Sequence, residues 1–72
     1  MDYKQRLRSL REDRDKTQAE IAKVLGTSQQ YYGKYESGER PLPIDRLYML
    51  CNYYGVSADY CIGLTDKETS RI

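Results

Sequence analysis

Between Ser28 and Ser37 the chain reads SQQYYGKYES, and here the residue types and their spacing point most directly to chemistry. On a helical wheel at about 100° per residue, with Gln29 at zero, Gly33 falls near 40°, Ser37 near 80°, Gln30 near 100° and Lys34 near 140°. Tyr31, Tyr35, Tyr32 and Glu36 fill the opposite arc, from about 200° to about 340°. One face is aromatic and can pack. The other shows two amides, a hydroxyl, an ammonium and a glycine. A glutamine amide donates and accepts at once, which matches the N6/N7 edge of adenine in a major groove. Lys34 can donate to guanine or to a phosphate. Gln18, at the first turn of the preceding helix, could grip a phosphate together with that helix's free N–H groups. Arg40, in the loop beyond, could reach phosphate or a minor groove. The bland alternative is a solvated polar face, and composition alone does not separate the two.

Other chemistries are poorly served. The chain has no His and only two cysteines, Cys51 and Cys61. Two thiols cannot complete a four-ligand zinc site, and no imidazole is present to activate either one. Cys51 falls on an apolar helical face and reads as core. No catalytic, metal or cofactor-binding residues are expected, and an enzyme is the weakest of the available readings.

Short helices must position these residues. The first is expected over Tyr3–Arg14, with Tyr3, Leu7 and Leu10 on one apolar face. Thr17-Gln18-Ala19-Glu20 is a capping box opening the second helix, whose inner face is Ile21, Ala22 and Leu25. Gly26 stops it, and Ser28 caps the third helix, which ends at Gly38. Because the Gly26-Thr27 link is so short, the second and third helices must cross steeply, with small Ala22 at the close approach. Ile21, Leu25, Tyr32 and Tyr35 bury the contact. Glu36 is left on the packing side, where a carboxylate needs a partner, and Arg11 is the candidate for a bidentate pair. The fourth helix starts near Pro43, set for a first helical position, and carries Ile44, Leu47, Tyr48, Leu50, Cys51 and Tyr54 inward. Ser57 caps a short fifth helix running through Ile62. No segment alternates as a strand would, so the expected fold is all-α.

Length and charge bound the class. A chain of 72 residues is one small domain, with no room for a deep enclosed site. No run approaches the 18 apolar residues of a membrane helix, and the N-terminus lacks a signal peptide's apolar segment. The expectation is a cytoplasmic, soluble protein with reduced thiols. Net charge is only +1. Residues 1–16 hold a surplus of two positive charges, residues 17–40 balance, and residues 41–72 come to minus one. A basic amino-terminal segment points weakly to phosphates.

Taken together, Leu10-Arg11-Glu12, Thr17-Gln18 with Ile21-Ala22, Gly26, Lys34-Tyr35-Glu36 with Gly38, Val56-Ser57-Ala58-Asp59-Tyr60 and Gly63-Leu64 form a specific signature. Over roughly residues 5–66 the chain resembles the phage repressor and Cro-type helix-turn-helix family, also called the xenobiotic-response-element family. The resemblance implies a five-helix lambda-repressor-like DNA-binding domain over 1–66, with a frayed tail at 67–72 and the helix-turn-helix at the second and third helices. It implies prokaryotic or phage origin and sequence-specific binding to double-stranded operator DNA, usually as a homodimer, as in a repressor. It matches Ser28, Gln29, Gln30 and Lys34 to base-reading positions, and Gln18, Tyr31, Ser37 and Arg40 to backbone contacts. The Gln29-Gln30 pair is similar to that of lambdoid phage repressors. Arg11 and Glu36 match the family's structural ion pair.

Some positions depart from the pattern. Asp15-Lys16 stands where a glycine and an apolar residue are common. Gly33 stands where serine is frequent, at a helix-propensity cost of about 1 kcal/mol relative to Ala. Tyr32 fills a core position often held by Ile, and Pro43 replaces a capping Ser. No small-molecule effector site or sensing domain is read, and no membrane partner. The competing reading is an antitoxin-like or phage-encoded protein-interaction module on the same fold, with Tyr48, Tyr53, Tyr54 and Tyr60 as an aromatic patch.

Overall fold

Local signals open and close each helix of the computed structural model, which describes residues 2–65 and 67. Asp2 caps α1 (Tyr3–Asp13) by accepting from the Gln5 amide at 3.0 Å. Thr17 and Glu20 form the expected reciprocal capping box at the start of α2 (Gln18–Leu25). Ser28 accepts from the Tyr31 amide at 3.1 Å to open α3 (Gln29–Ser37). In α4 (Ile44–Tyr54), Pro43 is the cap itself rather than the first helical residue, and it supplies no side-chain hydrogen bond. Ser57 caps α5 (Ala58–Cys61). Among the described residues there is no strand. The expected tail at 67–72 lies outside the described residues except for Lys67.

The core is a cluster in which α1 packs on α3 and α5, α2 on α3 and α4, and α4 on α5. Leu7 and Leu10 of α1 meet Ile21, Ala22 and Leu25 of α2, Tyr32 and Tyr35 of α3, and Leu50 and Tyr54 of α4. Two fully buried tyrosines, Tyr32 and Tyr35, fill the centre of this cluster. They stand edge to face, with ring centroids 6.3 Å apart.

The corner between α1 and α2 keeps glycine-like geometry without a glycine. Asp15 has φ 56°, the one described non-glycine residue in the left-handed region. Short polar side chains tolerate that conformation better than most, though at some cost in backbone energy.

Two inward assignments on α4 are corrected. Ile44 is 82% exposed and Tyr48 69% exposed. Leu50 and Tyr54 are buried, while Leu47 and Cys51 are half-buried against the core. Eight of the eleven positions of IDRLYMLCNYY are apolar or aromatic, so its pattern holds more than one possible inner stripe. The neighbours decide which stripe packs.

The basic surplus of residues 1–16 is also spent differently from the charge reading. Arg6 is buried, stacks 3.9 Å over the Tyr60 ring and donates to the Thr65 carbonyl. Arg14 reaches the Leu10 and Tyr54 carbonyls and lies over the Tyr54 ring. Arg11 turns to Glu36. These three arginines hold α1 to the rest of the domain, while Arg8 stays exposed.

Candidate nucleic-acid interface

The exposed side of α3 is framed by the packing of its other side. Tyr32, Tyr35 and Glu36 are buried, whereas Ser28, Gln29, Gln30, Tyr31 and Ser37 are exposed. The amides of Gln29 and Gln30 make no hydrogen bond to any described residue, so both keep their full donor and acceptor capacity. Tyr31 lies edge-on to Tyr35, centroids 5.4 Å apart, and fixes the flank of the same surface. Ser37 donates to the Lys34 carbonyl and accepts from the Glu39 amide, which shapes the turn that presents Arg40. Arg40 is exposed, and its own amide closes on the Lys34 carbonyl.

A carboxylate does reach this surface, which helix 3 alone does not reveal. The Lys34 ammonium stands 3.8 Å from Glu39 in the following loop. At that exposure the pair is weak, and a phosphate can compete for the ammonium.

Behind the surface, one carboxylate gathers three elements. Glu36 is 6% exposed. Arg11 of α1 meets it in a bidentate pair, Nε to Oε2 at 2.8 Å and Nη2 to Oε1 at 3.1 Å. The third guanidinium nitrogen, Nη1, donates to the Lys16 carbonyl at 3.0 Å. Gln18 of α2 donates from Nε2 to Glu36 Oε1 at 3.1 Å. The expected ion pair is therefore present, and Gln18 joins it. One N–H of the Gln18 amide points to Glu36, leaving the second N–H for other partners.

The mid-helix glycine is explained by the same cluster. A Cβ on Gly33 would come within 3.2 Å of Gln18 Oε1. Gly33 thus seats the Gln18 side chain where it crosses from α2 to Glu36. Gly38 has a comparable role at the other end of α3, where φ is 87° and the Lys4 side chain passes over it.

Burial alone would raise the pKa of Glu36. The hydrogen bonds from Arg11 and Gln18, with the nearby Tyr32 hydroxyl, outweigh it and hold the carboxyl below its ordinary value of 4.5. Burial first, and then the adjacent Glu36 charge, push the Tyr32 phenol up. Because the Glu36 pKa is depressed on folding, its contribution to stability is complete above pH 4.5 and lost as pH falls through the lower folded value. Asp2 and Glu20, lowered by the backbone amides they cap, act in the same direction. Helicity followed by circular dichroism down an acid titration is expected to fall steeply below about pH 4.5. Glu36→Gln should make that fall shallower while lowering stability at neutral pH. An unchanged acid profile in the variant would refute the assignment.

Arg46 of α4 is a neighbour that sequence reasoning missed. Its guanidinium lies 6.0 Å from the Tyr35 ring centroid, and its Nη1 is shielded with no hydrogen-bond partner among the described residues. As the one cation between residues 41 and 66, it offered a signal that was available but unused.

A closely packed α2–α3 pair joined by a short turn, with its second helix rooted by tyrosines and its amide-bearing side open, defines a helix-turn-helix domain, the architecture of DNA-binding transcription regulators. A family model described as helix-turn-helix matches residues 7–61. The chain belongs to that helix-turn-helix family, in its Cro-repressor type. It is similar to the uncharacterized HTH-type transcriptional regulator YobD of Bacillus subtilis (strain 168), 39% identical over 70 residues, covering 97% of this chain and 62% of that protein. It is also similar to the SPbeta prophage-derived uncharacterized HTH-type transcriptional regulator YonR of the same organism, 35% identical over 66 residues, covering 92% of this chain and 61% of YonR. A third relative is the HTH-type transcriptional regulator PrpR of Mycobacterium tuberculosis (strain ATCC 25618 / H37Rv), 38% identical over 55 residues, covering 76% of this chain and 11% of PrpR. The chain therefore spans about three fifths of two of these relatives and about a tenth of the third. No solved structure matches.

Proposed function

We propose that the chain is a sequence-specific DNA-binding transcriptional regulator acting as a repressor, with α3 in the major groove of an operator half-site. The observation that carries this reading is the pair of exposed, unengaged amides at the first turn of a helix anchored from behind. Gln29 and Gln30 read adenine edges, and Ser28 and Lys34 extend the base contacts. Gln18, Tyr31, Ser37 and Arg40 hold the phosphate backbone and set the register. A single helix reads only a few base pairs. A homodimer spanning half-sites about 34 Å apart supplies the rest, and the exposed Ile44 and Tyr48 of α4 offer apolar surface for a second copy.

Selection of bound sites from a random DNA library, run at two salt concentrations, tests this reading. The expected product is an adenine-containing half-site repeated with two-fold symmetry. Recovery of no common sequence would overturn it. On the selected site, Lys34→Ala is expected to weaken binding, and to flatten the salt slope by about 1 if the ammonium contacts phosphate instead of a base. Glu39→Gln should tighten binding to all DNA alike, since it removes the competitor 3.8 Å from that ammonium. If both variants bind as the parent does, Lys34 does not face DNA.

A further inference from the structure

Cys51 and Cys61 take no part in the interface, yet the fold brings them together. Cys51 is half-buried on α4 and lines a shallow apolar cavity of about 330 Å³ that it shares with Ala58 of α5. Cys61, the last residue of α5, has no exposed surface. Their Sγ atoms stand 3.5 Å apart as free thiols. A disulfide needs about 2.05 Å between sulfurs, so a shift of roughly 1.5 Å at the end of a short helix would join them.

We propose that Cys51 and Cys61 are a reversible dithiol–disulfide couple whose oxidant is a low-molecular-weight disulfide, with Cys51 as the entry sulfur. Access sets the order in the unpaired chain, because Cys51 borders a cavity open to solvent, lined also by Ile44 and Tyr48, whereas Cys61 has no exposed surface. The Cys51 thiolate attacks one sulfur of the oxidant RSSR. The oxidant's S–S bond breaks, one RS⁻ leaves, and Cys51 carries a mixed disulfide. Cys61 then gives up its proton and attacks Cys51 Sγ, expelling the second RS⁻. Two protein thiols are oxidised, and one external disulfide is reduced to two thiols, which take up the two protons. Excess external thiol drives the steps backward. Burial, followed by the hydrogen bond with Cys51, pushes the Cys61 thiol up to about 12. Cys61 therefore stays protonated until its partner is activated, which suits a resolving role. The new bond closes the turn between α4 and α5, and a closed loop restricts the unfolded chain.

The test uses the whole 72-residue chain under native conditions, with oxidised glutathione as the oxidant and intact mass as the readout. The expected product has lost two hydrogens and carries no adduct. Chymotryptic cleavage at Tyr53 and Tyr54 should leave the Cys51 and Cys61 fragments linked. The oxidised domain should melt about 10 °C higher, and dithiothreitol should restore the original melt and mass. Cys61→Ala should stop at a glutathione adduct on Cys51, and Cys51→Ala should not react. A persistent adduct on the parent chain, a bond between two chains, or reaction only in denaturant would overturn the proposal. The parent's mass decides the question even if Cys61→Ala folds poorly.

Discussion

Arg11→Ala is expected to destabilise the domain by about 3–5 kcal/mol, because it leaves a buried carboxylate without its cation. A chain of this length has a total stability of about 4–11 kcal/mol at the usual 0.05–0.15 kcal/mol per residue. The substitution therefore removes a large fraction of it. The guanidinium makes three contacts at once: two to Glu36 and one to the Lys16 carbonyl. Lysine keeps the charge but cannot reproduce the fork, so Arg11→Lys should fall between the parent and Arg11→Ala. An apolar pair of similar volume, Arg11→Met with Glu36→Leu, should be more stable than Arg11→Ala, since no unpaired charge remains. Urea unfolding followed by circular dichroism measures all three. A loss below about 1 kcal/mol for Arg11→Ala would mean that Glu36 finds other solvation, and the pair would then be one of the weak surface kind.

Gln29→Ala and Gln30→Ala are each expected to weaken binding to the selected operator by about 1–3 kcal/mol while leaving non-specific binding nearly unchanged. The structure sharpens this prediction. Neither amide is bonded within the described residues and both are exposed, so stability should move by no more than about 0.5 kcal/mol. Gln18 is the contrast. Its amide is tied to Glu36, so truncating it disturbs the fold as well as the proposed phosphate contact and cannot separate them. Binding should be measured on the operator and on an unrelated duplex at one salt concentration. Equal losses on both would remove the readout role from Gln29 and Gln30.

Much of the interface was legible because it obeys local rules. The capping box at Thr17–Glu20, the serine caps and the split faces of α3 follow from spacing alone. The partner of Glu36 followed from a charge on a packing face together with one well-placed arginine. What the sequence hid depends on distant contacts. Arg6 looks like one more member of a basic run until Tyr60 and Thr65, far along the chain, close over it. Gly33 looks like a weak point in a helix until the Gln18 side chain is laid across it. Ile44 and Tyr48 look like core because a helix with eight apolar or aromatic positions in eleven does not announce which of its stripes turns outward. The Cys51–Cys61 approach is equally invisible in one dimension, since it needs the turn between two helices to be folded first.

The left-handed Asp15 leaves an evolutionary opening at the first corner. A change there to glycine would relax the torsion without asking any neighbour to move, because the side chain is exposed and caps no helix. A lineage living hotter than this one could gain durability through that single step, while the exposed amide-bearing surface of α3 kept its shape.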